Sequence, residues 1–372
     1  MRRVAIFTTA YLPFIGGAEI AVDEITKRFR DFHFDIYTAR LNRKLPVLEE
    51  FDHVTVYRLG FGFYFDKWWL ALMGQRKALE QHHKIPYDFI WGIMASFGGL
   101  AARNFKKLNP NIPFLLSLQE GDNLTRVELK GKVTLGAFTD IFFQADHIQP
   151  ISSYLSDWAK KIGTLGKIEV IPNGVDLKTF KLRSSIPHNK VPIIITASRL
   201  VPKNGLLYLI RAISLINSPA KLVIIGSGYE EATLKKEVSH LRLENRIKFV
   251  NRLNHNDLAK KLAAADIFVR PSLSEGLGNA FLEAMAVGVP VIGTPVGGIP
   301  DFLRHDKTGW LVRPADSQSI AKMIDYILSP KNKPEVKKII QTARHLVEKK
   351  YDWDTIALQF RSLFSRILDS AN

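Results

Sequence analysis

Two glutamates that lie eight residues apart flank a glycine-rich turn in this sequence. The segment from Glu275 to Glu283 reads Glu-Gly-Leu-Gly-Asn-Ala-Phe-Leu-Glu. The residues after the turn are apolar or favour helices, and Gly288 followed by Pro290 ends the run, so the pattern predicts a helix. Glu275 then lies in the loop before the helix. Glu283 lies one turn inside it, on the same face as Asn279.

This spacing predicts a site for a phosphorylated sugar. The N-terminus of a helix carries unpaired backbone N–H groups and the positive end of the helix dipole, which together suit a phosphate. A carboxylate on each side, here Glu275 and Glu283, can accept hydrogen bonds from sugar hydroxyls. An anion site between two hydroxyl acceptors is what a nucleotide sugar requires.

Two cations follow another predicted strand. Arg199 and Lys203 lie in the segment Ile195–Gly205, which begins as an apolar strand. Both residues follow the strand end and are expected to face one crevice. Two positive charges there would neutralise a leaving diphosphate. The alternative is a pair of solvated surface cations.

Glycine turns follow two of the predicted strands. Gly16-Gly17 comes after the first strand, and Gly226-Ser-Gly228 comes after a later one. Glycine lets a backbone approach a phosphate or sugar closely, and ligands of open α/β sheets bind at the carboxyl ends of strands. A simple structural turn would use the same residues. The turn Ile171–Asp176, which contains Asn-Gly, is interpreted as structural.

Composition favours two globular α/β domains. The chain has 372 residues, of which 46% are hydrophobic and 24% are charged, which is enough for two proper cores. It has no cysteine, so disulfides and thiolate metal sites are excluded and a reducing compartment is expected. The start, Met1–Phe7, is interpreted as a strand rather than a signal peptide. No stretch reaches transmembrane length.

The formal net charge of +16 suits anionic partners. Most of the excess lies in residues 181–372. Anionic ligands, an anionic membrane surface or nucleic acid would each fit such a charge, although solvated Lys and Arg on helix faces explain most of it. Nucleic acid is not expected, because the sequence carries no zinc-finger, RRM or helix-turn-helix signature.

Short apolar strands alternate with amphipathic helices, which predicts buried parallel sheets. The strands fall into two series, which predicts two doubly wound domains. The first series is Val4–Thr9, Asp35–Thr38, Val54–Leu59, Phe89–Ile93, Phe114–Leu118 and His147–Ile151. The second is Ile168–Ile171, Ile193–Ala197, Leu222–Ile225, Ile247–Val250, Ile267–Val269 and Val291–Gly293. The polar stretch Lys178–Val191 is the predicted boundary, and Tyr351–Leu368 is predicted to be a helix.

Together these segments resemble the family 4 glycosyltransferases, which have the GT-B fold and a retaining mechanism. The resemblance covers nearly the whole chain, and its motifs in the second half are specific. It is carried by Gly16-Gly17, Ile171–Asp176, Arg199–Gly205, Gly226–Gly228, Glu275–Glu283 and Ala284–Gly298.

The resemblance implies two Rossmann-like domains that bind different substrates. The first, residues 1–182, would bind an acceptor, and the second, residues 190–350, would bind a nucleotide sugar. The active site would be the cleft between them. A C-terminal helix over residues 354–372 would pack back on the first domain.

The resemblance also implies roles for individual residues. Glu275 would contact the donor sugar and Glu283 the ribose hydroxyls, while Arg199 and Lys203 would hold the diphosphate. Further donor-binding residues implied in the same way are Gly16, Gly17, Gly226, Leu277, Gly278 and Asn279.

The chain departs from the family pattern at two positions. Members usually have lysine where this chain has Asn204, so Lys203 is assigned the role of the diphosphate-binding lysine. Members commonly carry histidine and then an acidic residue where this chain has Gln119-Glu120. Gln119 can still hydrogen-bond a sugar hydroxyl and is counted among the catalytic residues, but it cannot act as an acid or base. Glu120 and Asp122 would either assist the acceptor or cap the next helix.

The implied mechanism needs neither a strong base nor a metal. Arg199, Lys203 and the helix start near Gly278 would stabilise the charge that develops on the leaving diphosphate. In retaining enzymes of this type, the leaving phosphate is thought to accept the acceptor's proton on the same face. The sequence has no Asp-x-Asp metal signature, so no metal ion and no cofactor is expected.

An aromatic segment, Phe61–Met73, contains Lys67, Trp68 and Trp69, and three further cations follow it, at Arg76, Lys77 and Lys84. This composition suits a segment that rests on a membrane interface. The alternative is an acceptor-side helix packed in the core. A lipid-linked acceptor would accommodate both.

We therefore predict a hexosyltransferase that acts on a glycan or lipid-linked acceptor in cell-surface polysaccharide or glycolipid synthesis. Its expected location is the cytoplasm or the inner face of the cell membrane. Two alternatives stay open: a sugar-nucleotide-binding protein with little turnover, which Gln119 favours, and a phosphorylase-type enzyme on the same fold, which would need a pyridoxal phosphate lysine.

Overall fold

The structure, a computed structural model, describes residues 1–122, 136–185, 187 and 189–370. The chain divides into two compact units. The first consists of Met1–Asn173 together with Ile356–Asn372, and the second of Gly174–Thr355. Residues 174–182, which the sequence analysis assigned to the first domain, thus lie in the second unit.

The first unit contains an eight-stranded sheet, in the order β3-β4-β2-β1-β5-β6-β7-β8. All neighbouring strands are parallel except β3 and β4. The strands are β1 Arg2–Thr8, β2 Phe32–Ala39, β3 Leu48–Phe51, β4 Val54–Leu59, β5 Phe89–Ile93, β6 Phe114–Leu118, β7 His147–Pro150 and β8 Lys167–Ile168. The helices are α1 Gly17–Arg28, α2 Asp66–His82, α3 Phe97–Leu108, α4 Ala137–Gln144 and α5 Ser153–Ile162.

The second unit contains a six-stranded, all-parallel sheet, in the order β11-β10-β9-β12-β13-β14. Its strands are β9 Ile193–Ala197, β10 Lys221–Ile225, β11 Ile247–Val250, β12 Ile267–Val269, β13 Val291–Gly293 and β14 Trp310–Leu311. Its helices are α6 Leu206–Leu215, α7 Glu231–His240, α8 His255–Ala263, α9 Asn279–Val287, α10 Ser317–Leu328 and α11 Lys333–Lys350. A last helix, α12, spans Trp353–Asp369.

Two doubly wound sheets confirm the predicted fold class, and the strand cores follow the apolar runs of the sequence. Residues Val4 to Phe7 of β1 are all buried, as expected for strands covered by helices on both faces. The sequence analysis wrongly placed Ile168–Ile171 in the second series, because Lys167–Ile168 pairs with His147–Ile148 in the first sheet. It also missed β3 and β14, which are short strands at the sheet edges.

The C-terminal helix α12 completes the core of the first unit. Phe364 packs its ring against Phe29, Phe89 and Trp91, with ring centroids 4.9–5.5 Å apart. Arg361 forms an ion pair with Asp31, with a nitrogen–oxygen distance of 2.8 Å. The apolar face of this helix therefore covers the first sheet, although the whole second sheet lies between them in the chain order.

Candidate functional site

The best candidate site of the second unit lies at the point where its sheet changes winding direction. Strands β9 and β12 are neighbours, and the chain continues from β9 to β10 on one side and from β12 to β13 on the other. Open α/β sheets bind ligands at such a point, beyond the carboxyl ends of the strands. Arg199 follows β9 by two residues, and Arg270 follows β12 directly.

Glu275 lies in the loop between β12 and α9, as the sequence predicted, and it is only 8% exposed. Its carboxylate forms an ion pair with Nη2 of Arg270 and accepts a 3.3 Å hydrogen bond from its neighbour Gly276 N–H. The backbone is fixed too, because Gly298 N–H donates to the Glu275 carbonyl at 3.2 Å. A Cβ at Gly297 would overlap that carbonyl, so glycine is required there.

Helix α9 begins beside this carboxylate. Gly278, its N-cap, has a φ of +100°, a left-handed conformation that favours glycine. The side chain of Leu277 is buried, which leaves only its backbone to reach a ligand. The N–H groups of the first turn, including that of Asn279, precede the first internal hydrogen bond of the helix, which is the geometry the sequence predicted for a phosphate.

Glu283 lies one turn inside α9. Burial raises the pKa of its carboxyl to about 7, while the charge of Arg270 acts in the opposite direction. The predicted ribose contact therefore falls on a carboxyl group that belongs to a half-buried residue.

Of the two predicted cations, Arg199 is exposed and Lys203 is half-buried. The Lys203 carbonyl accepts a 2.6 Å hydrogen bond from Leu273 N–H, which ties the segment after β9 to the segment after β12. The next residue, Asn204, is 1% exposed and its amide lies inside the protein.

The turn Gly226–Gly228 has a structural explanation. Gly226 has a φ of +144°, and a Cβ there would overlap the Ser198 carbonyl. A Cβ at Gly228 would likewise overlap the Leu200 carbonyl, and the Leu200 N–H donates to the Ser227 carbonyl at 2.9 Å. These glycines let β10 approach the segment that carries Arg199, so the turn supports the site whether or not it contacts a ligand.

Three buried polar atoms at this end of the sheet find no protein partner within the described residues. They are Oγ of Ser198 after β9, and Nε of Arg270 and Oγ of Ser272 after β12. Buried donors are normally satisfied. Their concentration where a doubly wound sheet binds ligands indicates a site that accepts a polar molecule.

The first sheet has its own change of direction, between β1 and β5. The Thr9 hydroxyl lies 3.0 Å from that of Ser96 and accepts a 3.1 Å hydrogen bond from Gly98 N–H. Gly16 and Gly17, at the start of α1, are exposed. Gly16 has extended backbone angles, so it is not required by conformation, and the close approach of a ligand stays a prediction.

Gln119 and Glu120 follow β6 and differ in surroundings. Gln119 Oε1 accepts a 2.9 Å hydrogen bond from Asn173, which uses its acceptor and leaves its NH₂ group to donate. Glu120 is 4% exposed and accepts a 2.6 Å hydrogen bond from Ala95 N–H. Burial raises the Glu120 pKa to about 7. Glu120 thus holds the turn after β5, where Met94 has a φ of +67°.

The sequence analysis missed one residue of the candidate site in the second unit and one unusual backbone conformation in the first unit. Arg270 was passed over, although an arginine directly after a buried strand is the signal that singles it out. Met94, with its positive φ, follows β5 and has a side chain of ordinary apolar type, so no local pattern marks its conformation.

The loop before α2 and the first turns of that helix form an exposed aromatic patch, which we define as Phe61, Phe63, Tyr64, Phe65, Trp68, Trp69 and Leu72. Asp66 fixes this loop by accepting hydrogen bonds from the N–H groups of Gly62 and Phe63 at 2.6 and 3.0 Å. Packing in the core, the alternative above, holds for Leu70 and Ala71 but not for the patch. In the part of the chain that the structure describes, no helix is long and apolar enough to cross a membrane.

Comparison with known proteins agrees with this geometry. The model of "Glycosyltransferase Family 4" matches residues 15–179, and that of "Glycosyl transferases group 1" matches residues 178–346. The chain is similar over its whole length to the structure of sucrose-phosphate synthase from Thermosynechococcus elongatus, with a TM-score of 0.87, 23% identity and 100% of both chains covered. The two doubly wound domains, together with this structural similarity, identify the fold as GT-B. The chain belongs to the family 4 glycosyltransferases.

Several curated relatives are similar over part of the chain, and the N-acetyl-alpha-D-glucosaminyl L-malate synthase of Bacillus anthracis is 25% identical over 98% of both chains. A GDP-mannose-dependent monoacylated alpha-(1-6)-phosphatidylinositol monomannoside mannosyltransferase from Corynebacterium glutamicum is 33% identical over 50% of this chain and 53% of its own length. The putative colanic acid biosynthesis glycosyltransferase WcaL of Escherichia coli is 28% identical over 74% of this chain and 70% of its own length. The chain spans 52–60% of the length of three curated relatives that are more than 30% identical to it.

Proposed function

We propose that this protein is a retaining glycosyltransferase that transfers a hexosyl group from a nucleotide diphosphate sugar to a hydroxyl of a glycan or lipid-linked acceptor. The observation that carries the proposal is the buried Arg270–Glu275 pair at the winding switch of the second sheet, together with buried polar atoms that have no partner among the described residues. Family membership and the named activities of the relatives support it.

The donor would be held through three kinds of contact. The helix start at Gly278–Asn279 would take the diphosphate, because its N–H groups have no partner inside the helix. Exposed Arg199 and half-buried Lys203 would add positive charge at the leaving group. Glu275 would accept hydrogen bonds from the sugar hydroxyls and Glu283 from the ribose.

Breaking the bond between the anomeric carbon and the diphosphate places negative charge on the leaving group and positive charge on the sugar. Preorganised cations and helix N–H groups stabilise the first, and the nearby carboxylate of Glu275 stabilises the second. The leaving phosphate would accept the acceptor's proton, so that the new bond forms on the face from which the diphosphate departs. This scheme needs no metal ion.

The first experiment is a screen of the purified protein against a panel of nucleotide sugars, with a glycolipid extract present as the hydroxyl acceptor, read out as released nucleotide. We expect release from one donor class, unchanged by a chelator. Proton NMR of the glycoside formed would show the anomeric configuration of the donor. No release from any donor would refute the proposed activity, inversion would refute the retaining scheme, and loss on chelation with recovery on adding manganese would refute metal independence.

A binding protein with little turnover is the second candidate. Two observations favour it, since Gln119 and Asn204 stand where the family pattern has ionisable residues. Calorimetry separates the two candidates: tight binding of a sugar nucleotide without its cleavage would identify a binding protein.

We also propose that the protein rests on an anionic membrane surface through the aromatic patch. Cations accompany the aromatic residues, with the Arg43 guanidinium 4.1 Å from the Phe63 ring centroid and Lys67 Nζ 3.7 Å from that of Tyr64. Apolar side chains beside basic ones are typical of interfacial segments. Such a location would suit a lipid-linked acceptor, and the lipid substrate named for the Corynebacterium relative supports that choice.

A further inference from the structure

Arg270 is a buried cation that the family pattern does not assign. It is 9% exposed and follows β12 directly at the winding switch of the second sheet. Its Nη2 donates to the Glu275 carboxylate, and its guanidinium carbon lies 5.7 Å from the centroid of the buried Phe281 ring. A buried charge is costly unless it is paired, so this arginine needs its partners to stay where it is.

Asn204 connects this cation to the other side of the site. Its Oδ1 accepts a 3.0 Å hydrogen bond from the same Nη2 of Arg270. Its Nδ2 donates to the Arg199 carbonyl at 2.6 Å. A continuous chain of hydrogen bonds therefore runs from the Arg199 backbone through Asn204 and Arg270 to the Glu275 carboxylate.

The position of the positive charge differs from that of the family pattern. Members usually have lysine at the position of Asn204, whereas this chain has a neutral amide there and an arginine within hydrogen-bonding distance of it. A lysine in place of Asn204 would bring its ammonium group towards the guanidinium of Arg270. The two cations would repel each other in surroundings that screen charge poorly, so the two arrangements exclude each other.

We propose that Asn204 and Arg270 form a buried bridge that positions Glu275 relative to Arg199, with Arg270 supplying the buried positive charge in place of a lysine at position 204. This inference rests on the proposed function. Arg270 is a positioning residue here: it acts on the donor through Glu275, and it fixes the segment that carries Arg199 through Asn204. The bridge thus joins the residue that would contact the sugar to the residue that would contact the leaving group.

The test is a double-mutant cycle on the donor that the wild-type protein cleaves. The variants are Asn204→Lys, Arg270→Met and the double variant, and kcat, the donor KM and the melting temperature are measured for each. Arg246→Lys is the matched control. Arg246 is also a partly buried arginine of this unit, and it donates to the carbonyls of Ser218 and Ala220 outside the cluster.

We expect Arg270→Met to lower kcat by about 100-fold, the effect of a misplaced catalytic group, with the donor KM within about threefold of wild type. Asn204→Lys alone should also lower kcat, by about tenfold or more, although it restores the family residue. The double variant should exceed the kcat of Arg270→Met by about tenfold or more, because the introduced lysine can then pair with Glu275. Arg246→Lys should retain wild-type kinetics.

Several outcomes would overturn the bridge. Losses that add in the double variant, or an Asn204→Lys protein as active as wild type, would show that the two positions act independently. A parallel loss of melting temperature and kcat in every variant, without recovery in the double one, would reduce Arg270 to a packing role. If Arg270→Met does not fold, Arg270→Gln takes its place, because glutamine removes the charge but keeps a polar group, and full activity in that variant would overturn the proposal. Absence of turnover in the wild-type protein would instead refute the proposed function, and the bridge with it.

Discussion

At the scale of single residues, Glu275 and Glu283 stand on either side of one helix start but in different environments. Glu275 is held by a cation, whereas burial raises the pKa of Glu283. If the first faces the sugar and the second the ribose, their substitution should separate catalysis from nucleotide binding.

We expect Glu275→Gln to lower kcat by about 100-fold and to change the Kd of the nucleoside diphosphate by less than about threefold. The amide keeps the shape of the side chain and can still accept from Arg270, so the buried guanidinium retains a partner. Steady-state kinetics and calorimetry with UDP and GDP provide the two numbers. Equal losses in rate and nucleotide affinity would contradict a contact with the donor sugar.

The counterpart, Glu283→Gln, should weaken binding of the nucleoside diphosphate by about 1–3 kcal/mol, as expected for loss of a hydrogen bond to a charged group. Calorimetry against the same nucleotides measures it, and the Glu275→Gln protein is its control. Unchanged affinity would remove Glu283 from the ribose site.

Glu120 should make stability depend on pH. Burial raises its pKa from 4.5 to about 7, so between these values the folded state binds more protons than the unfolded state. Stability must therefore fall as pH rises through this window. Glu120→Gln can keep the hydrogen bond from Ala95. In this variant, the decrease in the free energy of unfolding between pH 5 and pH 8 should be smaller than in wild type by up to about 3 kcal/mol.

Urea unfolding at several pH values measures the effect. The control is Glu244→Gln, at an exposed position, which should leave the pH dependence as it is in wild type. An unchanged slope in Glu120→Gln would mean that Glu120 titrates in the folded state as it does in the unfolded chain.

At the scale of elements, the glycines after β10 set how closely two loops approach. Gly226→Ala combines a positive φ with overlap on the Ser198 carbonyl, so we expect a loss of about 2–4 kcal/mol in the free energy of unfolding. Gly163→Ala, where φ is +86° and nothing lies within 4 Å, isolates the backbone contribution and should cost about 1 kcal/mol. Equal losses in the two variants would show that the loops can separate without cost.

At the scale of the whole molecule, net charge and the aromatic patch should act together on a membrane. We expect sedimentation with anionic liposomes at low salt and weaker binding as salt rises, because attraction of basic residues is worth about 1 kcal/mol each and is screened. Phe65→Ser with Leu72→Ser should weaken binding even at low salt, since insertion of apolar side chains is a separate contribution.

These two side chains are preferable to Trp68, which packs on Phe97 at a centroid distance of 4.6 Å and contributes to the fold. The control is Tyr229→Ser, because Tyr229 is equally exposed but lies in the second unit. A wild-type protein that ignores anionic liposomes would favour a soluble acceptor.

Much of this protein is determined by local patterns in its sequence. Buried parallel strands read as continuous apolar runs, so β1, β5, β9 and β12 could be located within a residue or two. Helix α9 was located from its glycines and its two glutamates, because a cap and a stop are local signals. Strand β3 was missed because three of its four residues are exposed, so it has no apolar run, and β14 was missed because it has only two residues.

Other features exist only because distant segments meet. Arg270 and Asn204 are 66 residues apart, and neither has a local signal for the other, so their pairing emerges from sheet topology alone. The raised pKa values of Glu120 and Glu283 arise from burial, which depends on what packs around a carboxyl rather than on its neighbours in the chain. The sequence by itself therefore determined which elements carry the site, and the tertiary structure decided which charges are paired within it.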